Sequence, residues 1–200
     1  MARTPSTMMP LGTTAPDFSL PDTTGAPIGR DDFSGSHALL VMFICNHCPF
    51  VIHIREELAA LGRDYGERGV GIVAINSNDV ENYPDDSPAN MKKEAALAGY
   101  TFPYLFDETQ GVAHSYRAAC TPDFFVFDRD QRLAYRGQLD GSRPGNDVPV
   151  TGADLRRALD ALLAGTPVTP DQLPSLGCNI KWKADNAPDY FPPAPSGTLR

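Results

Sequence analysis

The chain has 200 residues, enough for one well-buried core with appendages, and carries a net charge of −8 from 17 Lys and Arg against 25 Asp and Glu. No basic block interleaves with aromatic residues, which excludes the electrostatic footprint of a nucleic-acid binder, and no stretch approaches the roughly 20 apolar residues that span a membrane. The opening Met1-Ala2-Arg3-Thr4-Pro5-Ser6-Thr7 lacks the basic start and apolar core of a signal peptide, so a cytosolic location is expected.

Residues 1–11, rich in Thr, Pro and Met, read as a flexible arm. Ala15-Pro16-Asp17-Phe18 opens a short extended segment; Asp22-Thr23-Thr24-Gly25 is a turn, and Pro27-Ile28-Gly29 a second short strand, together a β-hairpin extension. The almost uninterrupted apolar run 38–44 predicts a buried parallel strand. Val51, Ile54, Leu58, Leu61 and Tyr65 then recur at steps of three and four, one face of a helix that Gly66 and Gly69 stop. A second buried strand over 70–76 completes a βαβ unit.

A polar loop over 76–87 leads to a helix with Ser87 as its cap and Pro88 at its first position, ending at Gly99. Residues 102–106 form a short, edge-like apolar segment, and a short helix around 112–116 leads into Ala119-Cys120-Thr121-Pro122. Two strands, 124–128 and 132–138, form an antiparallel hairpin. Thr151 or Gly152 opens the last helix, with Leu155, Leu159 and Leu162 on one face and Gly165 as its stop. The order of elements predicts an α/β sandwich around a mixed sheet, one domain over 12–165 followed by a Pro-rich tail over 166–200. The single Trp182, four residues past Cys178, predicts that part of this tail docks on the body.

The chemistry concentrates in Cys45-Asn46-His47-Cys48-Pro49, at the junction between the apolar run and the helical pattern. Unpaired N–H groups and the positive end of the helix dipole favour a thiolate there, and two residues between the sulfurs let them close and reopen a disulfide. Cys45, taken as nearest the free N–H groups, is the expected nucleophile, with Cys48 resolving. His47 as a cation favours the Cys45 thiolate. A structural zinc pair is the competing reading, but it needs two more ligands, and Cys120 and Cys178 are single cysteines; no metal and no cofactor are expected. Cys120 is either a small buried hydrophobe or, like Cys178, an auxiliary thiol. Position 39, where a buried acid could accept a proton, is Leu39. Asp31, Asp32, Asp79, Asp85 and Asp86 read as solvated loop charges, His53 as an inconsequential solvated histidine, and Asp123 as the acid to follow.

Cys45-Asn46-His47-Cys48, Thr121-Pro122 before a hairpin, and the Ala15-Pro16-Asp17-Phe18 lead-in together resemble the thioredoxin superfamily. The similarity is to its redoxin branch, which includes the alkyl hydroperoxide reductase/thiol-specific antioxidant proteins and thioredoxin-like thiol:disulfide interchange proteins. The resemblance implies a thioredoxin-like three-layer α/β/α sandwich, Cys45 as attacking and Cys48 as resolving thiol, and a cis Pro122 opposite them. The backbone of Thr121 would then be free to pair with a substrate strand. It implies a thiol–disulfide oxidoreductase of cell redox homeostasis, acting on protein or small-molecule disulfides and thiols with an electron donor of its own. His47 at the second inner place is similar to the oxidising members of the superfamily, which implies a potential above thioredoxin's approximately −270 mV. Cys48-Pro49 matches the end of the peroxiredoxin motif, so a thiol peroxidase with antioxidant activity is the alternative, with Cys48 peroxidatic and Cys45, Cys120 or Cys178 resolving. In that motif Cys45 replaces a Thr, and Arg117 is the nearest substitute for the peroxiredoxin arginine.

Overall fold

The computed structural model describes residues 3–191. In chain order it contains β1 (Arg3–Pro5), β2 (Ser19–Pro21), β3 (Pro27–Gly29), β4 (Ala38–Phe43), α1 (Pro49–Gly66), β5 (Val70–Asn76), α2 (Pro88–Ala98), β6 (Tyr104–Phe106) and α3 (Gly111–Ser115). These are followed by β7 (Cys120–Thr121), β8 (Asp123–Phe127), β9 (Leu133–Gly137), α4 (Ala153–Leu163) and β10 (Leu176–Asn179).

The central sheet has the order β6-β5-β4-β8-β9. β4 lies in its middle, parallel to β5 from Ala38↔Val70 to Phe43↔Ile75 and antiparallel to β8 from Leu39↔Phe127 to Phe43↔Asp123. Strands covered on both faces need apolar residues at every position, which is why all six residues of β4 and all seven of β5 are buried. The side chains alternate between two cores. Leu40, Met42, Ile44, Phe124 and Val126 face one core, where α1 contributes Val51, Ile54, Leu58, Leu61 and Tyr65 and α4 contributes Leu155 and Leu159. Leu39, Val41, Phe43, Val73, Ile75, Phe125 and Phe127 face the other, closed by Tyr116 beside α3, by Phe18 ahead of the β2–β3 hairpin, and by Ile180 of the tail. The result is the α/β sandwich around a mixed sheet that the order of elements predicts, in the three-layer, thioredoxin-like α/β/α form that the resemblance implies, with the hairpin extension in place.

The helix punctuation follows the sequence with one difference. Pro88 opens α2 and Gly99 closes it at φ 71°, the left-handed value glycine tolerates. Ser87 holds the N-cap position, but its side chain makes no cap hydrogen bond.

The termini depart from expectation. Within the arm over 1–11, Arg3–Pro5 is a strand rather than a loose segment: β1 pairs antiparallel with β10 from Arg3↔Cys178 to Pro5↔Leu176. β10 in turn pairs antiparallel with β7, giving a second, three-stranded sheet in the order β1-β10-β7. Neither terminal segment has apolar periodicity of its own. What orders them is each other's backbone, because an isolated strand leaves its polar groups unpaired and the partner lies almost at the far end of the chain.

Candidate active site

The helix that carries the site begins at Pro49, one residue later than the cysteine pair, so Cys48 is its N-cap, with extended backbone at φ −72° and ψ 122°. Pro49 occupies the first helical position, where a missing N–H costs nothing. Cys45 lies before the helix, at the end of the segment that leaves β4. The helix N–H groups therefore serve Cys48, and the reason for expecting Cys45 to be the better-placed thiolate applies to its neighbour instead.

Both sulfurs meet Thr121. Cys45 Sγ lies 3.3 Å from Thr121 Oγ1, and Cys48 Sγ donates to the Thr121 carbonyl at 3.2 Å. The two thiols perturb each other, and their acidities are drawn in opposite directions. Cys48 is drawn well below the usual thiol range by the Cys178 and Cys45 thiols and, against its burial, by the backbone N–H groups of Val51 and Cys178. Cys45 is pushed up by its hydrogen bond to Cys48, by burial and by the negative charge of Asp86.

Asp86 is the residue that sequence reasoning misplaced. It is fully buried rather than solvated, whereas Asp31, Asp32 and Asp85 are exposed as expected. One carboxylate oxygen accepts the Asn46 N–H at 2.8 Å; the other accepts Asn78 Nδ2 at 2.7 Å and lies 2.7 Å from His47 Nδ1. Asp79 also departs from the solvated reading, being bonded by Glu81 N–H and Asn82 Nδ2 within its own turn. His47 is raised above the ordinary histidine range, first by its hydrogen bond to Asp86. Its ring stacks on Tyr83, with centroids 5.6 Å apart. Its charge is thus met by Asp86 rather than directed at Cys45, as the sequence suggested. The only signal in the sequence is an acid in the polar turn Asp85-Asp86-Ser87-Pro88, and nothing local distinguishes Asp86 from its exposed neighbour.

The Thr121-Pro122 peptide is cis, as the resemblance implies. The backbone of Thr121 is not free, however: β10 pairs with it, Cys178↔Thr121 and Asn179↔Cys120, and the Ile180 N–H extends the ladder to the Ala119 carbonyl at 3.1 Å. Gly177 explains how the strand seats so closely. A Cβ there would stand 2.1 Å from the Thr121 carbonyl oxygen and 3.1 Å from Pro122 N, both backbone atoms that cannot give way. Beyond the strand, the Lys181 N–H bonds Asn78 Oδ1 at 2.8 Å, so the same Asn78 that holds Asp86 also holds the tail. Trp182 packs against the second core and meets His114 edge-on at 4.9 Å, the docking its position predicts. The tail leaves Cys45 at 2 %, Cys48 at 0 % and Cys178 at 4 % exposure.

The remaining candidates separate. Cys120 is fully buried, its thiol 3.5 Å from the Pro122 carbonyl and pushed up by burial, which fits a small buried hydrophobe. Asp123 is fully buried, and burial holds its carboxyl well above the carboxylate range against the opposing pull of the Ala119 and Phe124 backbone. Strand alternation puts it on the Phe125 side of β8, away from α1. The Arg117 guanidinium lies over the Tyr190 ring, 4.7 Å from its centroid. His53 is not a free surface histidine, since its Nε2 lies 2.7 Å from Ser142 Oγ. Among the described residues, Cys45, His47 and Asp86 form the one group whose ligand atoms, within 4.8 Å of one another, could hold a metal ion. Asp86 already spends both oxygens on protein donors.

Two measurements test this geometry. Because its folded pKa is raised, the His47–Asp86 pair contributes stability that is complete below about pH 6.5 and is lost as pH rises through the elevated value. Urea denaturation of wild type and His47→Gln should therefore show a stability gap that is widest at acid pH and closes on the alkaline side; a gap independent of pH would contradict the pairing. Gly177→Ala should loosen β10 and raise the rate of Cys48 alkylation by iodoacetamide about 10-fold or more, equivalent to about 1.4 kcal/mol of lost docking. Equal rates in both proteins would show that β10 does not control access.

A family model described as the AhpC/TSA family matches residues 11–136. The thiol-disulfide oxidoreductase ResA of Geobacillus thermodenitrificans (strain NG80-2) is 28% identical over 132 residues, covering 65% of this chain and 70% of that protein. The crystal structure of an uncharacterized conserved protein from Geobacillus kaustophilus superposes with a TM-score of 0.90 at 57% identity, over 92% of this chain and 98% of that one. A putative thiol:disulfide interchange protein DsbE from Chlorobium tepidum, 23% identical, shares the fold with a TM-score of 0.60 over 78% of this chain and 99% of that one. With a paired Cys45 and Cys48 at the head of α1, a cis Pro122 opposite and these likenesses, the chain belongs to the AhpC/TSA family, in the redoxin branch of the thioredoxin superfamily.

Proposed function

We propose that the protein is a thiol–disulfide oxidoreductase that cycles Cys45 and Cys48 between dithiol and disulfide. The observation that carries this reading is the pair of thiols at the head of α1, both in contact with Thr121 and with acidities pulled in opposite directions. Disulfide exchange needs one sulfur ready to attack and a second that keeps its proton until called on. Cys48 fits the first role: as thiolate it attacks a substrate disulfide, forming a mixed disulfide and expelling one substrate thiolate. Forming that bond removes the interaction with Cys48 that chiefly raises Cys45. Cys45 then gives up its proton and attacks Cys48 Sγ. The second substrate thiolate leaves, the proton goes to a departing sulfur, and Cys45–Cys48 remains as the disulfide. The reverse sequence oxidises a substrate dithiol.

A stabilised thiolate favours the reduced form, which supports an oxidising couple. The chemistry uses only sulfur and protons, so it calls for no cofactor, and the partners are thiols and disulfides, with a thiol-based donor to reset the pair. A cytosolic setting belongs to the same proposal. An external substrate has to displace β10 from β7 before its own strand can pair with Thr121.

The test is insulin disulfide reduction with dithiothreitol as donor. Cys48→Ser and Cys45→Ser should each lower the rate at least ~100-fold, and Cys45→Ser should in addition accumulate the mixed disulfide on Cys48. Full activity in either variant would overturn the reading.

Thiol peroxidase is the second reading, favoured by Cys48 at a helix N-cap followed by Pro49. Against it stands Arg117, which is engaged with Tyr190 rather than placed at the sulfurs. Stoichiometric hydrogen peroxide on Cys45→Ser/Cys120→Ser/Cys178→Ser, which leaves no resolving thiol, decides between them: the exchange reading expects no sulfenic acid trapped by dimedone at Cys48, and its stoichiometric appearance would put the peroxidase first.

A further inference from the structure

Cys178 sits where neither the family match nor the Cys-x-x-Cys pattern assigns a role. The family model ends at residue 136, forty residues short of it. Yet β10 places Cys178 opposite Thr121, the residue that touches both other sulfurs, Cys45 through its hydroxyl at 3.3 Å and Cys48 through its carbonyl at 3.2 Å. Cys178 shares the buried cluster of Cys45 and Cys48, and the Cys48 thiol is the first cause that pushes its own thiol up. The strand that carries it is held along both edges, by β1 and by β7, and Gly177 lets it lie flush against the backbone at Thr121 and Pro122. β10 pairs with the Thr121 backbone that the resemblance reserves for a substrate strand, as a strand adding to a sheet edge does. It carries a thiol at the position facing the couple. Cys120 is not equivalent. Alternation along β7 sends it to the other side from Thr121, where its thiol meets the Pro122 carbonyl.

We propose that Cys178 is a third redox thiol of the site and that the C-terminal strand is an internal substrate of the Cys45–Cys48 couple. The inference rests on the exchange reading, because the step starts from the Cys45–Cys48 disulfide. Cys178 attacks Cys48 Sγ, the Cys48–Cys178 bond forms as Cys45–Cys48 breaks, and the bonding pair leaves on Cys45. The proton lost by Cys178 is taken up by Cys45. One disulfide and one thiol enter, one disulfide and one thiol result, and no further oxidant or reductant is required. The exchange turns the non-covalent seating of β10 into a covalent one and releases Cys45 beside His47 and Asp86. A couple that is buried under its own tail thereby passes its disulfide to the element that covers it.

Peptide mapping by mass spectrometry tests this on the full chain, equilibrated in glutathione buffers of graded ratio, acid-quenched and alkylated. Wild type should contain both a 45–48 and a 48–178 disulfide, with populations within about tenfold of each other. Cys45→Ser/Cys120→Ser should form 48–178 as an internal bond that dithiothreitol reverses, and Cys178→Ser should retain 45–48 alone. Wild type needs no substitution, so a variant that fails to fold does not remove the test. If wild type forms 45–48 without 48–178, and the double variant yields only glutathione mixed disulfides, the role of Cys178 is overturned while the exchange reading stands. If wild type forms no 45–48 bond, both fall together.

Discussion

The site depends on one buried carboxylate. A charge taken out of water has to collect donors, and Asp86 collects them from elements that would otherwise have no reason to meet. The Asn46 N–H and His47 Nδ1 bring in the cysteine loop, Asn78 brings in the loop after β5, and Asn78 in turn bonds the Lys181 N–H of the tail. The loop that carries Asp86 is tied down as well, since the Asp86 carbonyl accepts Asn76 Nδ2 at 2.7 Å. The contacts of the Asp86 carboxylate go to Asn46, His47 and Asn78 and not to Cys48. The acid acts by fixing the loop around that sulfur and by spending the His47 charge, so that Cys45 sees a negative neighbour and keeps its proton.

This arrangement divides labour between two sulfurs that are alike in sequence. Cys48 is drawn down first by the Cys178 and Cys45 thiols and then by the N–H groups of Val51 and Cys178, while Cys45 is disfavoured as an anion by Cys48, by burial and by Asp86. The asymmetry is a matter of position, since Cys48 stands at the N-cap of α1 and against the tail strand. The His47–Asp86 and Asn78–Lys181 contacts form one continuous chain of polar groups from the cysteine loop to the C-terminal strand. Chemistry at the sulfurs and seating of the tail are therefore parts of one structure.

The central sheet and its helices were legible because their signals are local. The apolar runs of β4 and β5 and the three-four spacing along α1 state burial directly, and Gly99 marks the end of α2 by backbone freedom. The cysteine pair and Thr121-Pro122 were legible as motifs. Asp86 was not, because its burial is decided by Asn46, His47 and Asn78 arriving from three different segments, and its local context is that of the exposed Asp85. The strand character of Arg3–Pro5 and Leu176–Asn179 was hidden for a related reason: each is a strand only because the other, and β7, supply hydrogen-bond partners more than fifty residues away.

What the sequence by itself determined is the scaffold and the reagent: a mixed sheet with helices on it, and two cysteines at the head of a helix facing a proline. Periodicity and short spacings encode these, since neighbours along the chain remain neighbours in an element. What only the tertiary structure decided is how the surroundings of the two sulfurs differ, what partners His47, and that a strand of the protein's own tail brings a third cysteine against the pair. Those are properties of groups far apart in the chain, and their energies come from desolvation and hydrogen bonds that exist only once the sheet has closed and brought them together.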